Sequence, residues 1–219
     1  MLGRTTQPMA EKSQRTAVKR PNTHAEINEF RRIGLMEGTI TSMAEFGVAG
    51  TTLKTICDAA GASRGLTGHY FASKEALVAE SFKHLFNSLT DQVSKETAKI
   101  GPQSKSAQLR AIPTVLFSDK VFTKRNRGAF LSFWHEVRFN PLVKKANREL
   151  YTDYAKRVES YFAAAAEEAG VPIDARNAAL GLIALMDGLW LGLSIHDKVL
   201  SQKQATELCQ RFIDDFLPR

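Results

Sequence analysis

The segment between residues 51 and 77, TTLKTICDAAGASRGLTGHYFASKEAL, limits the possible folds of this chain more than any other feature. Its apolar spacing predicts a short helix, a turn closed by Gly61 in the left-handed region, a second short helix and the start of a third. Two helices joined by so tight a turn cross steeply, as in the helix-turn-helix, whose second helix enters the major groove of DNA. The hydroxyl side chains placed to cap these helices are Thr51 and Thr52, Ser63, and Ser73.

The pattern G-A-S-R-G-L-T-G-H-Y-F-A-S-K-E-A-L in this segment resembles the DNA-binding domain of tetracycline-repressor (TetR) family regulators. That family typically carries a turn of type A-x-x-A-G-V-S, a recognition helix that ends in an aromatic pair, and then F-x-s-K-e-x-L. The match runs from Phe46 to Leu77 without a gap. Many members have a tyrosine where this chain has Gly68. The small residue there, and the D-G-L-W run that starts at Asp187, are more similar to the choline-responsive betaine-synthesis repressor (BetI) branch.

The composition indicates a folded protein with polyanionic partners. The 219 residues are 43% hydrophobic, enough to bury a core, and the formal net charge is +7. The chain has two cysteines, Cys57 and Cys209, which lie far apart and give neither a disulfide framework nor a metal-ligand spacing, as suits a reducing compartment. The sequence shows no run of about 18 apolar residues and no apolar core for a signal peptide. We therefore expect a cytoplasmic, nucleoid-associated protein with no membrane partner.

Helical periodicity continues along the rest of the chain, so we predict an all-α fold. Residues 1–23 are predicted to be a flexible basic arm, either a solvated tail or an additional phosphate contact. Residues 24–72 are predicted to form a three-helix DNA-binding domain that contains the helix-turn-helix, and residues 73–219 an α-helical bundle. The resemblance implies that the bundle binds a ligand and dimerises. The first helix is expected to bury Ile27, Phe30, Ile33, Ile40 and Met43.

The recognition helix is expected to run from Ser63 or Arg64 to Tyr70. Arg64 can donate two hydrogen bonds to guanine or contact a phosphate, and Leu66 can meet a thymine methyl group or belong to the small core. The two glycines of this helix either allow a close approach to DNA or make the helix flexible. No metal ligand lies at a suitable spacing from His69. The predicted DNA-binding residues, some of them through phosphate oxygens, are Thr52, Lys54, Arg64, Gly65, Leu66, Thr67, Gly68, His69, Tyr70 and Lys74.

The most apolar segment of the bundle, Asn177 to His196, is predicted to be buried on two faces. Gly181, Leu185, Gly188 and Gly192 share one stripe at helical spacing, which allows a second helix to pack closely. We expect a homodimer that binds a palindromic operator, since two motifs then contact two half-sites. The alternative is that this segment is the central helix of a monomer.

The bundle also contains candidates for a small-molecule pocket. Aromatic faces together with one carboxylate, Asp187, suit a cation such as choline. A buried carboxylate requires a partner, which is either a bound cation or Arg138, Arg176 or a helix N-terminus. The aromatic side chains can alternatively fill the core. The predicted ligand-binding residues are Phe130, Phe133, Trp134, Met186, Asp187 and Trp190.

These observations predict a homodimeric transcriptional repressor that a small-molecule effector releases from its operator. Such a ligand acts by shifting an equilibrium between two arrangements of the dimer. The alternative is a ligand-independent or activating DNA-binding regulator with a filled core. The sequence shows no Gly-rich phosphate loop, Ser/His/Asp arrangement or metal motif, so we predict no enzyme activity, no catalytic residues and no cofactor.

Overall fold

The architecture is helical, as the sequence predicts. The computed structural model describes residues 23–101, 104–196 and 199–217, and these ranges contain nine α-helices and no strand. The first four helices are α1 His24–Gly50, α2 Leu53–Ala60, α3 Arg64–Tyr70 and α4 Lys74–Ala98. The other five are α5 Lys105–Leu116, α6 Lys124–Phe139, α7 Pro141–Ala169, α8 Ala175–Ile195 and α9 Gln202–Phe216. The all-α prediction is confirmed. The basic arm predicted at residues 1–23 lies outside the described residues, apart from Thr23, which caps α1.

Local chemistry sets the ends of the short helices α2 and α3. Thr52 and Thr55 form a capping box at the start of α2, and Gly61, at φ 60°, ends this helix in the left-handed region. Ser73 caps α4 by accepting a hydrogen bond of 3.1 Å from a backbone N–H. Ser63 occupies the N-cap position of α3 but makes no side-chain cap hydrogen bond, so the capping role predicted for it is wrong.

Two hydrophobic cores meet along α1. The smaller core joins α1 to the helix-turn-helix and the start of α4, and consists of Leu35, Met36, Ile56, Phe71 and Leu77. The larger core fills the bundle and includes Ile40 and Met43 of α1. Because α1 contributes to both cores, the domain division at residues 24–72 and 73–219 stays a prediction. The prediction that Phe30 and Ile33 are buried is wrong, because their side chains are 58% and 36% exposed. No described residue before Leu35 is buried, so the start of α1 extends beyond both cores.

Helix α6 of the bundle packs closely against α1 and is hydrogen-bonded to it. A Cβ atom on Gly128 would lie 2.8 Å from a carbonyl oxygen of α1, so only glycine allows this approach. The Ser132 hydroxyl donates to the carbonyl of Met43 at 2.9 Å. Arg125 donates to the carbonyl of Glu37 at 3.0 Å and also pairs with its carboxylate. A displacement of α6 therefore has to displace α1 or break these contacts.

Helix α8 is long and apolar enough, by length and composition, to cross a membrane, with a mean hydropathy of 1.8. The sequence has no unbroken apolar run here because Asp187 interrupts the segment. In the structure α8 packs against α7 and α9, and 44% of its most apolar stretch is buried. The central helix of a bundle needs the same composition, so α8 is explained by its place in this fold.

The small-residue stripe predicted on α8 is only partly open. A Cβ on Gly181 would lie 2.6 Å from the ring of Phe212, so α9 of the same chain covers that position. Gly188 and Gly192 have no neighbouring atom within 4 Å of such a Cβ, and they remain accessible. The apolar residues exposed along this side of α8 are Leu180, Ala184, Leu191 and Ile195.

Candidate DNA interface and ligand cavity

The recognition helix presents a small exposed surface. It runs from Arg64 to Tyr70, as predicted, and Arg64, Gly65, Gly68 and His69 are exposed. A Cβ on either glycine would meet nothing within 4 Å. The packing of the protein itself therefore does not require glycine at these two positions.

Two other residues of this helix, Thr67 and Tyr70, hold it in place. Thr67 is buried, and its hydroxyl donates to the carbonyl of Arg64 at 2.7 Å, so its side chain does not lie on the exposed face. Leu66 is half-buried, which keeps both interpretations of this residue open. The Tyr70 hydroxyl donates to Asn28 at 3.0 Å and ties the end of α3 to α1.

The predicted phosphate contacts lie at the starts of the neighbouring helices. Thr52 is the exposed N-cap of α2, and Lys54 is exposed in the first turn of that helix, where it pairs with Asp58 at 2.6 Å. Lys74 is the half-buried first residue of α4 and borders, with Glu136, a polar cavity of about 140 Å³. The positive end of a helix dipole favours a phosphate at such positions.

A cavity of about 80 Å³ opens inside the bundle. Since one water molecule needs roughly 10–15 Å³ on this measure, the space suits a small organic ligand, and the core is not filled here. The predicted ligand-binding residues that line it are Phe130, Trp134, Met186, Asp187 and Trp190. Phe133 does not line the cavity, because it is fully buried with its ring centroid 5.2 Å from that of Phe82.

The other residues that line the cavity are not among the predicted ligand-binding residues. Helix α7 contributes Tyr151, Tyr154, Arg157, Val158 and Tyr161, and helices α4 and α5 contribute Phe86, Leu89, Thr90, Val93, Ser94, Ile112 and Leu116. A signal for the α7 wall exists, since residues 151, 154, 158 and 161 recur at the spacing of one helix face.

Two groups of aromatic rings line the cavity. On one side, the Phe86 ring centroid lies 5.4 Å from that of Tyr151 and 5.9 Å from that of Tyr154. On the other, the Phe130 centroid lies 6.1 Å from that of Trp134 and 5.5 Å from that of Trp190. Aromatic faces attract cations, so these rings favour a positively charged ligand, whereas Arg157 places one cationic side chain in the same wall.

Asp187 is a half-buried carboxylate in this aromatic wall. Burial raises its pKa to about 6, and a hydrogen bond from Tyr151 lowers it in part. Of the partners considered from sequence, Arg176 pairs with Glu159 at 3.4 Å, and the guanidinium of Arg138 lies over Phe139. Within the described ranges, no cationic side chain forms an ion pair with Asp187. The arrangement therefore leaves a carboxylate available to a ligand.

A metal centre receives no support from the described part of the chain, where no three His, Cys, Asp or Glu side chains converge on one point. Both cysteine thiols are buried, Cys57 in the first helix of the helix-turn-helix and Cys209 in the bundle. Burial raises the pKa of each thiol, so both are poor metal ligands and poor nucleophiles.

Two families match consecutive parts of this chain. Residues 35–81 match the bacterial regulatory proteins of the tetR family, and residues 105–218 match the C-terminal domain of BetI-type transcriptional repressors. The HTH-type transcriptional regulator BetI of Burkholderia mallei is 30% identical over 191 residues, which are 87% of this chain and 95% of that protein. The BetI protein of Burkholderia thailandensis is 31% identical over 188 residues, covering 86% of this chain and 94% of its own.

Several solved structures share the fold of this chain over most of the chain's length. A transcriptional regulator from Pseudomonas aeruginosa PAO1 has a TM-score of 0.75 at 28% identity, covering 85% of this chain and 90% of its own. A transcriptional regulator from Saccharomonospora viridis, solved in complex with choline, has a TM-score of 0.73 at 19% identity, covering 84% and 95%. The regulator FadR from Bacillus subtilis, in complex with stearoyl-CoA, has a TM-score of 0.68 at 14% identity, covering 85% and 97%.

Proposed function

This chain belongs to the TetR family of bacterial transcriptional regulators and carries a BetI-type repressor domain, and we propose that it is a homodimer released from its operator by a quaternary ammonium compound such as choline. A DNA-binding regulator of this family acts in the cytoplasm, and we place it at the nucleoid. No feature of its family or of its named relatives indicates an enzyme.

The uncompensated carboxylate of Asp187 carries the proposal for the ligand. A half-buried carboxylate without an ion-pair partner is costly, and a bound cation would offset that cost. The surrounding aromatic rings add cation–π attraction of about 0.5–2 kcal/mol for each well-placed ring. A ligand that carries a permanent positive charge satisfies both features at once.

The polarity of the wall favours a quaternary over a primary ammonium group. A primary ammonium carries three N–H donors, each of which needs an acceptor when it is buried. The lining is mainly aromatic and aliphatic and offers few acceptors besides Asp187 and the hydroxyl groups. A quaternary ammonium has no N–H donor to satisfy. The choline complex of the Saccharomonospora viridis regulator is consistent with this ligand class in the same fold.

Calorimetry with choline and with its neutral carbon isostere, in which carbon replaces the charged nitrogen, tests this proposal. The two compounds have nearly the same shape, so a difference in affinity reports the charge. We expect choline to bind at least about tenfold more tightly, since cation–π attraction and the carboxylate act only on it. Equal affinity of the two compounds would contradict the proposed cation site.

For DNA, we propose that Arg64 donates to base edges from the exposed start of α3. Gly65 and Gly68 would allow the helix backbone to approach the groove, and Lys54 and Lys74 would contact phosphates. We expect Arg64→Ala to weaken operator binding by about 1–3 kcal/mol per half-site and to relax the preference at one base pair. A uniform loss across all DNA sequences, with the base preference kept, would show a phosphate contact instead.

The remaining DNA contacts proposed from sequence fall into two groups. Thr52 and His69 are exposed and would contact the DNA backbone directly. The other group is Thr67 and Tyr70, which would act mainly by holding α3 in position, as their hydrogen bonds favour, and half-buried Leu66 would either meet a thymine methyl group or support the small core.

We propose that the exposed apolar side of α8 forms the dimer interface. Leu180, Leu191 and Ile195 are 44%, 40% and 54% exposed, and Gly188 lies between them with open space above it. A second copy packed on this face would cover these residues, and a dimer can place two recognition helices on a palindromic operator.

Sedimentation or light scattering tests the oligomeric state. A single chain has a mass of 24.3 kDa, and we expect twice this value in solution. Leu191→Asp places a charge in the proposed interface and should yield monomers with weaker operator binding, whereas Lys120→Asp, on an exposed loop, should leave the dimer intact. A dimer that persists in the Leu191 variant would locate the interface elsewhere.

A further inference from the structure

The cavity of the bundle extends beyond the aromatic rings that line one part of it. Phe86 of α4 packs against Tyr151 of α7, with ring centroids 5.4 Å apart. From that contact the lining continues toward higher residue numbers on both helices, to Ser94 on α4 and to Arg157 and Tyr161 on α7. An α-helix rises about 1.5 Å per residue, so Arg157 lies about 9 Å beyond Tyr151 along α7. The cavity therefore has a second end, distinct from the aromatic one.

This second end carries a positive charge and hydrogen-bond donors. Arg157 lines the cavity and is exposed, so it lies where the cavity meets solvent. Among the described residues it forms no ion pair, in contrast to Arg110 and Arg176 of the same bundle. The side-chain hydroxyls of Ser94 and Tyr161 likewise make no hydrogen bond within the described part of the chain. A guanidinium and two hydroxyl groups are thus available to an anionic group of a ligand.

The carboxylate of the cavity lies at the other, aromatic end. Asp187 and Trp190 are three residues apart on α8 and both line the cavity, and the ring centroid of Trp190 lies 5.5 Å from that of Phe130. A cationic group at Asp187 is repelled by Arg157 if it moves toward solvent, and an anionic group at Arg157 is repelled by Asp187 if it moves inward. A ligand with one positive charge therefore uses only one end of this cavity.

We propose that the effector is a zwitterion, whose quaternary ammonium group binds at Asp187 and whose anionic group reaches Arg157 at the mouth of the cavity. This inference deepens the proposed function and rests on it, because it requires the cation site at Asp187. A guanidinium binds a carboxylate through two parallel hydrogen bonds, so Arg157 selects ligands that end in such a group. The two opposite charges of the cavity also fix the direction in which the ligand enters.

Calorimetry on trimethylammonio carboxylates and their primary amides tests this inference. The two members of each pair have nearly the same shape, and only the carboxylate carries a negative charge. For chains of three to five methylene groups between the ends, we expect the carboxylate to bind about three- to tenfold more tightly than its amide. The gain is modest because Arg157 is exposed, and for the same reason it should shrink between 50 and 200 mM salt.

The variant Arg157→Gln is compared with Lys156→Gln, which removes a neighbouring exposed charge that does not line the cavity. In R157Q the carboxylate should lose its advantage, whereas the cationic amide, which the guanidinium repels, should bind up to about twofold more tightly. A purely structural role of Arg157 would instead weaken the binding of both compounds. K156Q should keep both wild-type affinities.

Two results would overturn the inference while leaving the proposed cation site intact. One is that the amide binds the wild type but no carboxylate of the series binds more tightly than its amide. The other is that the advantage of the carboxylate survives in R157Q. If neither the amides nor choline bind the wild type, the cation site of the proposed function is refuted, and the zwitterionic effector with it.

Discussion

The proposed DNA surface on α3 and the proposed ligand site in the bundle differ in both charge and surroundings. The proposed DNA surface carries cations in contact with water, such as Arg64 and Lys54, and is assembled from one continuous stretch of chain. The cavity holds one half-buried carboxylate, Asp187, among aromatic rings from helices distant in sequence. Exposed charges are screened by salt, whereas a carboxylate in a sheltered site is sensitive chiefly to protonation. The two binding events of this regulator should therefore respond to different solution conditions.

The largest predicted contrast is the response to salt. If the bound dimer neutralises about six to ten phosphates, operator affinity falls by about 10³–10⁵ between 50 and 200 mM salt. Choline affinity should change by less than about twofold over the same range, because its charge partner is sheltered. Lys74→Ala should flatten the salt slope by about one unit for each phosphate that this lysine neutralises. Equal salt slopes for choline and operator would contradict the contrast, and fluorescence titrations of both ligands measure it.

The next largest effect is expected from Asp187→Asn. Removing one partner of a buried charge pair costs at least about 2 kcal/mol, or roughly thirtyfold in Kd, and Asp187 is only half-buried, so we expect a loss near this lower limit. Operator binding without choline should stay close to that of the wild type. Calorimetry checks the first value and a DNA titration the second. If choline affinity is unchanged, Asp187 does not face the cation.

Acidification should weaken choline binding without unfolding the protein. The pKa of Asp187 is about 6, raised by burial above the ordinary value, and only the ionised form attracts the cation. Choline affinity should thus be constant well above pH 6 and fall by up to about tenfold per pH unit below it. Protonation of a buried carboxyl relieves its desolvation, so in the same window Asp187 does not destabilise the unliganded fold. Choline affinity that stays constant from pH 7 to pH 5 would contradict the role of Asp187, and circular dichroism controls for unfolding.

The smallest predicted effect is that of Gly68→Ala, which should raise the stability of the protein and lower its affinity for the operator. Gly68→Ala should stabilise the protein by up to about 1 kcal/mol, because alanine favours the helix and no atom lies within 4 Å of the new methyl group. Operator binding should weaken several-fold, because the methyl group separates the backbone from the groove. Gly34→Ala, at an equally open position of α1, is the matched control and should stabilise without affecting operator binding. Urea unfolding and DNA titration measure the two effects, and unchanged operator affinity in G68A would favour the flexible-helix interpretation.

The two regions also differ in how far the sequence predicts them. The DNA surface depends on local signals, such as the left-handed Gly61 and the caps at Thr52 and Ser73, and the structure places α3 where those signals predict it. The cap expected at Ser63 shows that a suitable residue at the right position does not guarantee its hydrogen bond.

The cavity depends on packing between helices, which periodicity does not resolve. Phe130 and Phe133 lie close together on α6, yet only Phe130 reaches the cavity, because Phe133 packs against Phe82 of α4. Tyr151 and Tyr154 come from α7, whose contribution depends on how it crosses α8. Helical spacing predicts the glycine stripe of α8 as one surface, but the ring of Phe212 covers one end of it.

The central claim is that cation binding in the cavity and operator binding at α3 are linked. The most direct test is an operator titration at fixed salt and neutral pH, with and without choline at a concentration shown by calorimetry to saturate the protein. The account predicts that choline raises the operator Kd by about 5–150-fold, and that saturating operator lowers choline affinity by the same factor. An operator Kd that is identical in both titrations, with choline bound, would contradict the account.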